Sequence, residues 1–137
     1  MRAGAAIVLI GAVLAGAPAA FAVDVAVTAT PITTFTDVAL DGRVGKLIFR
    51  GGVAMQAQDD TFGGLSGVTG TGLDQQVVFA SDRGNFVSGR LAYDDGDRLI
   101  GLIGVTIEPM QNSRGEPLPR QCARDAESID TVYRNGM

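Results

Sequence analysis

From Val23 onward, no stretch of this chain repeats its apolar residues with the 3.6-residue period of a helix. What recurs is a short apolar run closed by a glycine or aspartate turn. Six or seven such runs, with turn signals roughly every 8–12 residues, are an all-β pattern. The 19 glycines fit it. Two architectures satisfy the pattern, a sandwich and a piece of a β-propeller.

In chain order, Asp24 to Thr30 alternates weakly and is closed by Pro31, which predicts an edge strand, since proline cannot donate to a ladder. Thr33 to Arg43 is polar and turn-rich. Lys46 to Met55 carries Leu47-Ile48-Phe49 and predicts a strand ending at Gly51-Gly52. Gln56 to Thr61 is a polar loop containing Asp59-Asp60. Leu65 to Val68 is short and apolar, Thr69 to Asp74 turns, and Gln75 to Ala80 is a strong strand because Val77, Val78 and Phe79 are β-branched or aromatic. Phe86 to Tyr93 and Arg98 to Ile107 flank Asp94-Asp95-Gly96-Asp97, the clearest hairpin in the chain. Simple alternation puts Leu99, Ile103, Val105 and Ile107 on one face of the second arm and Ile100 and Leu102 on the other, so the sheet is expected to be covered on both faces. Pro109 to Arg120 is a loop, and a last short strand is expected from Ile129 to Tyr133.

Residues 1–22 read differently. A positive start at Arg2, an apolar stretch from Ala5 to Ala15 and the small-x-small triplet Ala20-Phe21-Ala22 make a secretory leader, with cleavage expected before Val23. The apolar stretch is shorter than the ~20 residues that span a bilayer. A periplasmic or secreted domain over 23–137 follows, with no membrane association after cleavage. Losing Arg2 with the leader leaves ten basic and fifteen acidic residues, a net charge of −5. The basic residues are scattered, which argues against a nucleic-acid partner. Cys122 stands alone and forms no internal disulfide. The absence of histidine removes Ser-His-Asp and Cys-His catalysis and His-based metal sites. Any catalysis must run on carboxylates, Ser, Tyr, Lys or Arg, or on a hard cation held by oxygens.

A weak self-similarity (glycine turn, apolar strand, Asp-Arg or Asp-Gly corner) favours the propeller over the sandwich. Blades take ~40–50 residues, so this chain holds two or three. Five motifs then occur in order: Phe62-Gly63-Gly64-Leu65-Ser66-Gly67-Val68, Val78-Phe79-Ala80-Ser81-Asp82-Arg83-Gly84, Arg90-Leu91-Ala92-Tyr93-Asp94, Gly115-Glu116-Pro117-Leu118 and Asp125-Ala126-Glu127. The set resembles the N-terminal part of the phytase-like family, also described as proteins with esterase-like activity of the phytase type. The likeness runs from about Asp24 to Asp130. It implies an exported protein with a partial β-propeller-like arrangement of antiparallel strands, made of N-terminal blades, with C-terminal blades missing. It also implies a hydrolase acting on a small-molecule phosphate or carboxylate ester. A non-catalytic binding propeller and an inactive truncated fragment are the rival readings. The chain departs from the family at Ser128, where a glycine often follows the acidic motif, and in its length.

Of the candidate site residues, Asp82 and Arg83 sit at the end of an apolar strand. Asp82 could hold Ca²⁺ and Arg83 could bind a phosphate or carboxylate through two parallel hydrogen bonds; equally, Asp82 could cap its turn with Arg83 in solvent. Asp125 and Glu127 would share one face of a strand, where two close carboxylates share a cation or raise one another's pKa; equally, they could lie in a solvated turn after the Pro-rich loop. The expected catalytic set is therefore Asp82, Arg83, Asp125 and Glu127, with Asp82, Asp125 and Glu127 as ligands of a possible Ca²⁺. Ser66 lies outside any Gly-x-Ser-x-Gly elbow and reads as a turn or buried hydroxyl. Asp94-Asp95-Gly96-Asp97 reads as a turn rather than a calcium loop, and Cys122 as a bystander.

Overall fold

The computed structural model describes residues 22–70, 72, 74–119 and 124–132. The leader up to residue 21, Cys122 and Tyr133 lie outside the described residues. Among the described residues there is no helix and every strand pairing is antiparallel.

Five strands form the main sheet: β1 (Val23–Val25), β8 (Leu65–Gly70), β9 (Gln76–Ser81), β10 (Asn85–Tyr93) and β11 (Leu99–Pro109), in the order β1-β11-β10-β9-β8. Consecutive strands from β8 to β11 lie side by side, and the N-terminal strand closes the far edge. A second sheet pairs β2 (Val27–Ile32) with β7 (Gly52–Ala57). Two small hairpins stand between these two strands in sequence: β3 (Thr34–Phe35) with β4 (Val38–Ala39), and β5 (Arg43–Val44) with β6 (Leu47–Ile48).

The core lies between the five-stranded sheet and the β2–β7 pair, which packs against β11. Val77, Val87, Leu102, Val105 and Ile107 fill it from the large sheet, and Phe62 from the loop after β7. Val27, Met55 and Ala57 close it from the other side. Val87 is fully buried, worth about 1.5–3 kcal/mol relative to exposure.

The hairpin of β10 and β11 forms as expected. Four features differ from the sequence reading. First, the predicted edge strand Asp24 to Thr30 divides into β1 and β2, and Pro31 sits within β2, opposite Val53. β2 has a ladder partner on one side only, so its other edge tolerates a residue without an N–H. Second, Gly51-Gly52 begins a strand instead of ending one. Gly51 takes φ +106°, which turns the chain out of the β5–β6 hairpin and into β7, and β7 continues through Ala57 into the predicted polar loop. Third, β11 does not alternate simply. Its register against β10 advances three residues, Thr106 to Ile103, while β10 advances two, Ser88 to Arg90. This is a β-bulge, with Gly104 at φ +60°. It rotates the first half of β11 by one position. Leu102 therefore joins Val105 and Ile107 in the core, and Ile103 turns outward at 46% exposure. Fourth, among the described residues the sheet is not covered on both faces: Ile103 and Phe86 remain exposed on the face away from β2 and β7, while Ile100, also exposed, lies beside Pro31, Ile32 and Gly52.

Residues 124–132 form no strand, and the strand expected from Ile129 is absent over its described part. They instead run alongside β8 in the same direction: Ser66 meets Ala126, Gly67 meets Ser128 and Ile129, and Thr69 meets Thr131. The described sheets close into neither a barrel nor a ring.

Candidate functional site

The candidate residues gather where β9 ends. Ser81, the last residue of β9, is fully buried. Its hydroxyl donates to the Gly63 carbonyl (2.6 Å) and accepts from the Arg83 N–H (3.1 Å). The Gly84 N–H donates to the Ser81 carbonyl (2.9 Å) and closes a turn over Asp82-Arg83. The Asp82 N–H donates to the Gly64 carbonyl (2.8 Å). Loop 60–64 and corner 81–84 are thus one hydrogen-bonded unit.

Glycine at 64 is what lets Asp82 sit there. A Cβ on Gly64 would lie 1.6 Å from Asp82 Oδ1, and its φ of +60° is one that side chains resist. The Asp82 carboxylate therefore rests on the backbone of the Gly63-Gly64 turn, exposed to solvent.

Arg83 has a different placement from the one its type invites. Its guanidinium lies over Gly63, and Nη1 donates to the carbonyls of Asp60 and Phe62 (2.9 Å to the latter). A planar fork reaching two carbonyls fastens the loop that carries Phe62 into the core. Asp59, at the start of this loop, accepts from the Thr61 hydroxyl and from the Thr61 N–H (2.8 Å). These bonds hold its carboxyl below the usual aspartate range, the hydroxyl contributing most.

Asp125 and Glu127 reach the same corner by another route. The stem of Arg124 packs over Gly84, and its Nε donates to the Leu118 carbonyl (2.9 Å). The Ala126 N–H turns back to the Arg124 carbonyl (2.9 Å), a tight turn with Asp125 at its apex. The Ala126 carbonyl accepts from the Ser66 hydroxyl. Asp125 is held between these anchors, and both carboxylates are exposed. Because the segment is a turn rather than a strand, strand alternation does not place the two on a common face.

Ser66 is committed as a donor to backbone, with the Ala80 carbonyl also 3.4 Å away. Asp94 caps the β10–β11 turn, accepting from the N–H groups of Gly96 and Arg98 (2.9 Å each). Among the described residues, no three acidic or cysteine side chains gather as a metal cage requires. Asp82, Asp125 and Glu127 thus form no preformed calcium site.

Sequence reading missed Ser81 and Arg124. Ser81 sits between an apolar run and a charged pair, where a serine looks incidental. Arg124 precedes the acidic motif and carries no pattern of its own. The Gly63-Gly64 pair was the available signal for Asp82, since paired glycines before a strand mark a close approach by other groups.

The fold and this corner define an antiparallel all-β protein whose strand ends present carboxylates beside a backbone-anchored arginine. The family model for phytase-like proteins, described as esterase-like activity of phytase, matches residues 60–137, and the chain belongs to that family. The match takes in β8 to β11, the corner and Asp125-Ala126-Glu127; β2 to β7 lie before it. No curated protein and no solved structure matches the chain.

Proposed function

We propose that this is an exported hydrolase of the phytase-like family acting on small phosphate or carboxylate esters, with Asp82, Asp125 and Glu127 as its polar face. The observation that carries the reading is the convergence of two family motifs on one corner: Asp82 is seated on Gly64, and Arg124 fixes Asp125 and Glu127 through Gly84 and Ser66. With no histidine in the chain, a carboxylate is the available general base for a water nucleophile. Arg83 acts as a positioning residue through the loop beneath Asp82. The meander β8 to β11, with Arg124–Val132 laid along β8, matches the way one propeller blade leads into the next. The domain spans residues 23–137 after a leader cleaved behind Ala22, which sends it to the periplasm or beyond.

The test is hydrolysis of p-nitrophenyl esters, p-nitrophenyl phosphate and phytate by the purified protein, with and without EDTA. Asp82→Ala and Glu127→Ala are each expected to lower kcat/KM by ~100-fold or more, the usual scale of a general base. Activity unchanged in both variants would sink the assignment. A second reading, a binding module without turnover, is favoured by one observation: Ser66, the hydroxyl of the Gly64-Leu65-Ser66-Gly67 motif, spends its proton on backbone carbonyls. Melting shifts with a ligand that is never hydrolysed would select it.

A further inference from the structure

The first strand meets the loop after β7 at one end of the core. Val23 and Val25 stand opposite Ile107 and Val105, two core residues, so β1 turns its valines to the core side. Beside Val23 lies a cavity of about 220 Å³, lined by Val23, Ile107, Pro109, Asn85, Asp59 and Thr61. Asp59 is the one charged residue in this lining. Its Oδ1 takes both Thr61 donors, the N–H and the hydroxyl. Among the described residues its Oδ2 accepts no hydrogen bond, and no Lys or Arg pairs with it. Asp24 and Glu108, the acidic neighbours in β1 and β11, face the other side of the sheet by strand alternation.

We infer that the cation for Asp59 is the α-ammonium of Val23, made when the leader is removed. The inference rests on the reading that cleavage falls between Ala22 and Val23. In the uncut chain the Val23 nitrogen is a neutral amide. Hydrolysis breaks the Ala22–Val23 C–N bond; the oxygen of water stays on the Ala22 carboxylate, and the nitrogen leaves as an amine. An α-amine has a pKa of about 7.7 and carries an extra proton at neutral pH. The new charge therefore arises on a residue that shares a cavity with an unpaired carboxylate, and opposite charges at close range favour one another's ionised forms. The pair ties β1 to the loop that begins at Asp59. That loop carries Phe62 into the core and Gly64 under Asp82. Leader removal thus fastens both the edge strand and the seat of Asp82.

The protein purified after export is the material for the test, and its mass establishes whether it starts at Val23. Any other start overturns the leader reading and the inference together. With Val23 first, the two charges are removed singly and jointly. Asp59→Asn removes one and keeps an oxygen for Thr61. Acetylation of the α-amine removes the other. Lys46 is the only lysine, so every protein in the set carries Lys46→Arg and has no second amine to acetylate. Each change alone is expected to lower the melting midpoint at pH 7 and low salt by about 2–5 °C, the scale of an exposed ion pair in a domain of this size. Once one is made, the other should add little. Amide exchange at Thr61 and Phe62, whose N–H groups donate to Asp59, should quicken on acetylation. Reductive methylation, which keeps the positive charge, should change neither reading. Asp60→Asn, one residue away and outside the cavity lining, should leave the response to acetylation intact. Strict additivity of Asp59→Asn and acetylation overturns the inference while the leader reading stands. So does a response to acetylation that Asp60→Asn abolishes equally.

Discussion

Asp94 shows how one carboxylate fixes a turn whose sequence looks merely acidic. Its Oδ1 accepts from the N–H of Arg98 and of Gly96, while its own N–H donates to the Arg98 carbonyl. Those two N–H donors, Arg98 first, hold its carboxyl below the usual aspartate range, and the Arg98 charge adds slightly. A lowered folded value means the charged form is favoured by folding. The contribution is complete above the unfolded aspartate value, about 3.9, and is lost as pH falls through the lowered folded value. Asp94→Asn keeps an oxygen acceptor but cannot titrate. Urea midpoints measured from about pH 5 down to about pH 2.5 should fall less steeply for Asp94→Asn than for the natural protein. Parallel curves would show that the turn does not depend on the charge. Part of the slope should survive in the variant, because Asp59 is lowered in the same direction by Thr61.

Among the elements, β11 is where sequence pattern and structure part most clearly. Composition identifies the strand, and the Asp-Gly turn identifies its hairpin, because both signals are local. The facing of its residues is not local. One extra residue around Gly104, opposite the Ser88–Arg90 step of β10, exchanges Leu102 and Ile103 between core and surface. No counting from either end finds this without knowing where the bulge lies. The bulge also explains Gly89, whose missing side chain makes room for Leu102: a Cβ there would stand 2.8 Å from Leu102 Cγ. Gly89→Ala should therefore cost about 1–3 kcal/mol by overpacking, read from chemical denaturation. In Gly89→Ala/Leu102→Val the two effects should be less than additive, since the smaller residue vacates the space. Strict additivity would mean that the two positions do not share that space. The candidate site was legible to the same limited depth. Asp82 stands out as a charge after an apolar run, and Asp125 and Glu127 as two carboxylates two residues apart. That Arg83 binds backbone carbonyls depends on where loop 60–64 folds, which only the Ser81–Gly63 and Asp82–Gly64 bonds determine.

At the scale of the whole molecule, the layers are unequal. The β2–β7 pair and the inner face of the large sheet enclose the buried cluster. Among the described residues, the outer face receives only the 124–132 segment, held by Arg124 on Gly84, Ser66 on Ala126 and Thr69 on Thr131. The Ser128 departure is tolerated here because it is the backbone of Ser128, not its side chain, that approaches Gly67. A chain shortened to end at Pro119 should keep its fold, since no described residue of the buried cluster lies beyond that point. It should lose roughly 1 kcal/mol, seen as a melting midpoint lower by about 4–8 °C, with faster amide exchange confined to β8 and the end of β9. Global unfolding on truncation would show that the outer layer is part of the core. An unchanged midpoint and unchanged exchange in β8 would show that the segment is not docked. Either result would also bear on the proposed site, because the same segment that covers β8 carries Asp125 and Glu127. A docked segment therefore ties the presence of the acidic face to the packing of the outer layer. If that link holds, Gly67→Val, which leaves every charged residue in place but blocks the approach of Ser128, should reduce any hydrolysis together with the β8 protection.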